Sequence, residues 1–143
     1  MASVSVHDVA AYILEKAGPM SAMKLQKLVY YSQAWSIAWE DRPIFPEKIE
    51  AWASGPVVPE LYQKHKGKFL LKKWAGRSAR LSGDDKETID VVLGTYASKS
   101  AQWLSELTHR EAPWRDARKG VAPGERSRSI ISHAAMSEYY SSL

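Results

Sequence analysis

Apolar residues recur every three or four positions over long stretches of the chain, and this spacing predicts amphipathic helices. The first stripe covers residues 6–17, follows a capping box that begins at Ser5, and ends before Pro19. A second stripe begins behind Ser21, a helix-capping residue type, and continues to Trp39. Because this second stretch is too apolar and too aromatic to be mostly exposed, we interpret it as the central core helix.

Prolines interrupt the helical pattern over residues 40–58. Proline lacks a backbone donor and clashes with the preceding helical turn, so this region is predicted to be loop and short strand, with a sharp turn at Gly55-Pro56. A new helix is expected from about Pro59, because proline is favoured in the first turn of a helix. Short extended pieces are expected at residues 69–71 and 78–83.

The longest stripe of the chain covers residues 89–107 and follows an acidic first turn that begins at Ser82. Residues 108–111 have the form of a second capping box, which predicts a break there and a short helix that ends at about Lys119. Ser132 is placed to cap a last helix.

Together these patterns predict a mainly α fold. We expect a single compact domain over residues 1–143, with about five to six helices and a small two- or three-stranded β element around residues 44–82. A chain of 143 residues is long enough to bury a substantial core. The absence of cysteine excludes a disulfide scaffold, a zinc ribbon and a thiol nucleophile.

The start of the chain has no basic segment followed by an apolar core, and no apolar run approaches membrane-spanning length. We therefore expect a cytoplasmic protein without a membrane partner. Six tryptophans and seven tyrosines against two phenylalanines favour a protein that binds another, because aromatic side chains with a polar group suit a core that borders an interface.

The formal net charge is +4, and the positive excess lies in residues 64–80, which contain no acid. Such a segment attracts a polyanion, either nucleic acid or an acidic protein, although many segments of this kind are simply solvated loops. Phe69 and Trp74 alternate with the cations of this segment, a composition that is also typical of proteins that bind single-stranded nucleic acid. The cations concerned are Lys64, Lys66, Lys68, Lys72, Lys73, Arg77 and Arg80.

No residue pattern indicates catalysis or a cofactor. The four histidines are scattered, with no pair at helical ligand spacing, and the chain has no phosphate loop, nucleophile elbow or paired-carboxylate motif. His109 could meet Glu111 and Asp90 in an acid–base group, but a helix cap explains this stretch better. We predict no enzyme, no metal and no cofactor.

The aromatic residues in the helical and strand-forming stretches are most simply core residues; these are Trp35, Trp39, Trp52, Trp103 and Trp114. Tyr30 and Tyr31 are adjacent and must point to different sides of their helix, so we expect one of them to be exposed. An exposed tyrosine is a good interface anchor.

Several of these segments resemble the signature of the Panacea domain, the SocA-like antitoxin family, which is also described as a phage-associated protein type. They are residues 24–31, residues 50–52, residues 55–59 with Tyr62, and residues 108–114. Further matching apolar and aromatic positions in the tail extend the resemblance over nearly the whole chain.

The resemblance implies an antitoxin of a bacterial or prophage toxin–antitoxin pair, which binds and neutralises a toxin encoded beside it. Some members also deliver the toxin to a protease, so a protease or its adaptor is a further implied partner. Most of the matching positions are expected to define the fold: Leu25, Gln26, Leu28, Tyr30, Trp52, Gly55, Pro56, Val57, His109, Pro113 and Trp114.

Toxin contact is expected from the exposed side of the helix at residues 24–31 and from the basic segment. The candidates are Lys24, Lys27, Tyr31, Lys68, Lys72, Lys73, Trp74 and Arg77. The alternative is a nucleic-acid-binding regulatory protein that uses residues 64–80, although nucleic acid is a disfavoured partner without an added DNA-binding domain. A steep salt dependence of DNA or RNA binding would favour this alternative.

Overall fold

The computed structural model describes residues 3–143. This part of the chain forms seven α-helices and four short strands, so the predicted mainly α fold is confirmed, with more helices than the five or six expected. In chain order the elements are α1 Val6–Ala17, β1 Met20–Ser21, α2 Ala22–Glu40, β2 Glu50–Trp52, β3 Gly55–Val57, α3 Pro59–His65, β4 Leu70–Leu71, a 3-10 turn Ser78–Arg80, α4 Gly83–Tyr96, α5 Ala101–Arg110, α6 Ala112–Ala117 and α7 His133–Ser141.

Helix α2 is the centre of the fold, as predicted. Thirteen of its 19 residues are buried, and it packs against α1, α4, α5 and α7. The Ser21 hydroxyl accepts a hydrogen bond from the Lys24 amide and so satisfies one of the free donors of the first turn. The helix ends at Asp41, which adopts the left-handed conformation with a φ of 55°.

The strands form two separate antiparallel pairs. Strands β2 and β3 make a hairpin in which Ala51 faces Pro56, and β1 pairs with β4 through Met20 and Leu71. Residues 129–131 extend the hairpin, because the Ala51 amide donates to the Ser129 carbonyl at 2.8 Å. The extended piece predicted for residues 78–83 is wrong, since this stretch contains the 3-10 turn and the start of α4.

The long helix predicted up to Leu107 is divided in two. Helix α4 ends at Tyr96, and the Ser100 hydroxyl accepts from the Trp103 amide to cap α5. The Lys24 ammonium donates to the Ala97 carbonyl and places a positive charge at the end of α4, where the helix dipole favours it.

The predicted capping box at residues 108–111 is also wrong. Thr108 lies inside α5 and donates its hydroxyl to the Ser105 carbonyl, while the carboxylate of Glu111 is engaged elsewhere. Both polar side chains are buried. Thr108 bonds within α5 and Glu111 bonds to a tertiary partner, so neither makes the capping bond that the sequence suggested.

One hydrophobic cluster takes side chains from α1, α2, α3, α4, α5 and α7 and from several of the strands and loops between them. The prediction that one of two adjacent tyrosines is exposed is wrong, because Tyr30 and Tyr31 are both buried inside this cluster. Two tryptophans predicted as core residues are instead partly exposed, Trp39 at 49% and Trp103 at 39%. None of the helices in residues 3–143 combines the length and the hydropathy needed to cross a membrane.

Candidate functional site

The segments that resemble the family signature meet at one place, which we call the motif cluster and define as Gln26, Lys27, Tyr31, Gly55, Thr108, His109 and Glu111. Gln26 joins α2 to the start of α3. Its carbonyl oxygen accepts from the Val58 amide at 2.9 Å, and its amide nitrogen lies 3.0 Å from His65 Nε2. Burial lowers the pKa of His65, which favours a neutral ring whose Nε2 accepts this bond.

Lys27 lies in the middle of the motif cluster and is completely buried. Its ammonium makes no hydrogen bond to any described residue, and a β-carbon added to Gly55 would lie 3.1 Å from it. Burial lowers the pKa of Lys27 from 10.5 to about 8. His109 lies close enough for the Lys27 charge to add to burial in lowering the pKa of its ring.

Glu111 accepts hydrogen bonds from two buried tyrosine hydroxyl groups. Its carboxylate accepts from Tyr31 at 2.7 Å and from Tyr140 at 2.8 Å. Because Tyr140 donates its proton to Glu111, its oxygen accepts from Tyr30, 3.0 Å away. Burial raises the pKa of Glu111, while the two hydroxyl bonds oppose that rise. This network joins α2, α6 and α7.

Trp114 closes the motif cluster on the side of the hairpin. Its ring stacks on His109 with centroids 4.0 Å apart, and its Nε1 donates to the Trp52 carbonyl at 2.8 Å. The Arg118 guanidinium lies over the Trp114 ring, 5.1 Å from its centroid. The remaining family positions, Leu25, Leu28, Pro56, Val57 and Pro113, are buried nearby. The motif cluster therefore packs helices together and presents almost no surface to a partner.

Replacement of Lys27 by methionine is expected to raise the free energy of unfolding at pH 7 by about 2 to 3 kcal/mol, because the variant no longer buries an unpartnered charge. Between pH 8 and 10 the Lys27 ammonium loses its proton in the folded wild type, whereas it stays protonated in the unfolded chain. The wild type therefore gains stability as the pH rises, and its difference from Lys27→Met in free energy of unfolding becomes smaller. Urea unfolding over this pH range measures the effect. Lys68→Met, at an exposed site, should change stability by less than about 0.5 kcal/mol.

The basic segment forms a second feature, which we call the basic flap and define as residues 67–80. Three contacts with the first two elements hold it in place. Leu71 pairs with Met20, the Trp74 indole donates to His7 Nδ1 at 3.0 Å, and the Arg77 amide donates to Asp8 at 2.8 Å. Gly76 packs so closely on His7 that a β-carbon there would lie 2.1 Å from its carbonyl oxygen.

The basic flap displays both charge and apolar area. Lys68, Lys72, Lys73 and Arg77 are exposed, and none of them forms an ion pair with a described acid. Beside them Phe69 is 80% exposed and Leu70 is 55% exposed. Exposed apolar side chains next to unpaired cations are typical of a surface that meets a partner. The predicted candidate Trp74 is half-buried and serves as the anchor of this flap.

The candidates on α2 need correction. Lys27 and Tyr31 are buried, so neither side chain is available to a partner in this fold. Lys24 is half-buried, and its ammonium is already bound to the end of α4. The exposed face predicted for this helix is absent from residues 24–31 except at Lys24, because elements pack on α2 from several sides.

No group of three or more metal-ligating side chains is found in residues 3–143. His109 does not meet the carboxylates suggested for it, since Asp90 accepts from Tyr12 and Glu111 accepts from Tyr31 and Tyr140. The toxin-contact candidates chosen from the sequence did not include the exposed Phe69 and Leu70, nor Arg126 and Arg128 in the loop before α7. The positive charge of the loop could have drawn attention to Arg126 and Arg128 in the sequence, but only the fold shows which residues lie opposite them.

Comparison with known proteins agrees with the resemblance. The family model described as "Antitoxin SocA-like, Panacea domain" matches residues 25–115, which contain the motif cluster and the basic flap. Antitoxin SocA of Caulobacter vibrioides (strain NA1000 / CB15N) is 31% identical over 131 residues, and the match covers 78% of this chain and 69% of that protein. No solved structure is significantly similar to the chain. The chain belongs to the SocA-like antitoxin family with a Panacea domain.

Proposed function

We propose that this protein neutralises a toxin protein by direct contact, and that the basic flap supplies the contact surface. The observation that carries the proposal is the display of Phe69 and Leu70 among exposed cations on a segment that is anchored at three points. An apolar centre surrounded by charges is the usual composition of a protein interface. The flap would suit a toxin surface with an apolar depression and acidic residues at its edge.

The anchoring of the basic flap favours tight binding. Association costs free energy for every side chain and loop that must be ordered. Here Trp74 and the backbone contacts of Gly76 and Arg77 hold the segment before a partner arrives. The backbone of the flap is therefore ordered before binding, so less of the contact energy is spent on ordering it.

Charge reversal at Lys72 and Lys73 tests this proposal. We expect Lys72→Glu with Lys73→Glu to weaken binding of the toxin encoded by the adjoining gene by about tenfold or more, because both ammonium groups are exposed and lie beside the apolar centre. Isothermal titration calorimetry measures the dissociation constant. The thermal midpoint should stay within about a few degrees of the wild type, since neither side chain holds the fold together.

A matched control separates the flap from the general charge of the protein. Arg115→Glu with Lys119→Glu changes the net charge equally at exposed positions outside the flap, and it should leave toxin affinity within about twofold. Lys27→Met should also leave affinity unchanged, because Lys27 is buried. Equal affinity of wild type and the Lys72/Lys73 variant would remove the basic flap from the interface.

The same complex can act in two ways, by covering the toxin's active surface or by bringing the toxin to a protease. The two are distinguished by mixing purified toxin, antitoxin and the toxin's target without any protease. Full inhibition in this mixture supports blocking, whereas inhibition that requires an added protease supports delivery. A nucleic-acid role for the flap is the second candidate, and it predicts DNA binding with a steep salt dependence in the absence of the toxin.

A further inference from the structure

A second charged surface lies between helix α3 and the β2–β3 hairpin, outside the basic flap. We call it the arginine groove and define it as the cavity of about 450 Å³ lined by Trp52, Tyr62, Lys48, Lys66, Arg126 and Arg128. It runs between the β2–β3 hairpin, helix α3 and the loop that precedes residues 129–131. Trp52 and Tyr62 meet edge to face at its wall, with centroids 4.9 Å apart.

The loop that carries the two arginines is fixed in position. The buried Arg118 guanidinium donates to the Ala51 carbonyl at 2.9 Å and to the Glu125 carbonyl at 2.6 Å. At its other end the Ser129 carbonyl accepts from the Ala51 amide. Both ends of the loop are therefore tied to the hairpin, so the arginine groove is formed before any ligand binds.

Only one of the four cations in the arginine groove is paired with an acidic side chain. Lys48 pairs with Glu50 at 3.3 Å, and the same carboxylate accepts from the Trp52 indole at 2.8 Å. Lys66, Arg126 and Arg128 are exposed, and among residues 3–143 no acid pairs with them. Three unpaired cations around one cavity favour an anionic ligand, and arginine suits a carboxylate because its planar group can donate two parallel hydrogen bonds.

An apolar pocket of about 260 Å³ adjoins the arginine groove. It shares Trp52, Arg126 and Arg128 with the groove, and Ala53 and the indole give it a mostly apolar wall. A ligand that occupies both spaces must therefore carry a negative charge directly beside an apolar side chain. A single-stranded nucleic acid instead needs a continuous track of cations for successive phosphates.

We propose that the arginine groove and its neighbouring pocket bind an extended peptide segment in which acidic residues flank a large apolar residue. The carboxylates meet Arg126, Arg128 and Lys66, and the apolar side chain packs against Trp52 and Ala53. This site is separate from the toxin contact proposed for the basic flap, and it gives the protein a second place to hold a protein partner.

Fluorescence anisotropy with a labelled short peptide, in which a Leu-Phe pair is flanked by aspartates, tests the proposal. The wild-type protein should bind this peptide, and Arg126→Glu with Arg128→Glu should weaken binding by about tenfold or more. Lys72→Glu with Lys73→Glu makes the same change in net charge on the flap and should leave binding within about twofold. Circular dichroism and the thermal midpoint establish that both variants are folded.

Control ligands separate the two halves of the site. A peptide with serines in place of Leu-Phe and a peptide with asparagines in place of the aspartates should each bind at least about fivefold more weakly. Equal loss of binding in both double variants would overturn the proposal, because it would indicate unspecific charge attraction. Equal binding of the serine peptide would overturn the role of the apolar pocket, and tighter binding of a short oligothymidine would replace the peptide by nucleic acid.

Discussion

Replacement of Gly55 by alanine is expected to lower the free energy of unfolding by about 4 kcal/mol. Gly55 has a φ of 122°, a backbone conformation that side chains with a β-carbon rarely adopt. The added methyl group would also lie 2.6 Å from Lys27 Cε. Lys27 is completely buried, so its side chain has no free space into which it can retreat. Urea denaturation followed by circular dichroism measures the loss.

Two further variants identify the cause of that loss. Gly83→Ala, in the first turn of α4, meets no atom within 4 Å and should change stability by less than about 1 kcal/mol. Lys27→Ala introduced together with Gly55→Ala removes the clash but keeps the backbone strain. The double variant should therefore be more stable, by about 1 kcal/mol or more, than the sum of the two single losses predicts. An unchanged Gly55→Ala protein would mean that the hairpin does not hold this conformation in solution.

Replacement of Glu111 by alanine is the other large effect, with an expected loss of about 4 kcal/mol. The substitution removes the acceptor of two buried hydroxyl groups, those of Tyr31 and Tyr140, and leaves a cavity between α2 and α7. Tyr31 then has no partner among the described residues, and a buried hydroxyl without a hydrogen bond costs free energy. Thermal unfolding and urea titration measure the effect.

Glu111→Gln is the matched control, because an amide oxygen can accept the same two hydroxyl bonds without a charge. Burial raises the pKa of Glu111 in the folded protein, so the wild type loses stability as the pH rises from the ordinary glutamate range through that raised value. Relative to the wild type, Glu111→Gln should therefore gain stability over this interval. A Glu111→Gln protein as unstable as Glu111→Ala would contradict the hydrogen-bonding role.

These expectations divide the molecule into a scaffold and two surfaces. Variants in the motif cluster should change stability. They should affect binding only because they change the fraction of the protein that is folded. Variants in the basic flap or the arginine groove should change binding and leave stability nearly unaltered. For a member of an antitoxin family this division is practical, because growth assays with the toxin cannot by themselves distinguish an unfolded antitoxin from one with a damaged interface.

Local signals in the sequence were sufficient for several elements. Ser5, Ser21 and Ser132 cap helices as predicted, because a hydroxyl that bonds to an amide two or three residues later needs no distant partner. The central position of α2 also followed from the sequence, since so many apolar and aromatic residues in one helix can be covered only from several sides.

The site depended on distant contacts instead. The sequence of Thr108 and Glu111 fits a helix cap. In the fold, Thr108 bonds within its own helix to the Ser105 carbonyl, and only Glu111 meets distant partners, the hydroxyl groups of Tyr31 and Tyr140. Lys27 looks like a surface lysine in the sequence, and only the approach of β3 and α5 buries it. Arg126 and Arg128 became part of a groove because Arg118 ties their loop to Ala51.

By itself, the sequence determined the mainly α class, most helix ends, the positive charge of residues 64–80 and the resemblance to an antitoxin family. Caps, periodicity and charge act within a few residues, so they can be read along the chain. The tertiary structure alone decided which lysines face water, which tyrosines share a carboxylate and which cations surround one cavity. Those properties depend on residues far apart in the chain, and they are fixed only when other elements pack on α2 from several sides.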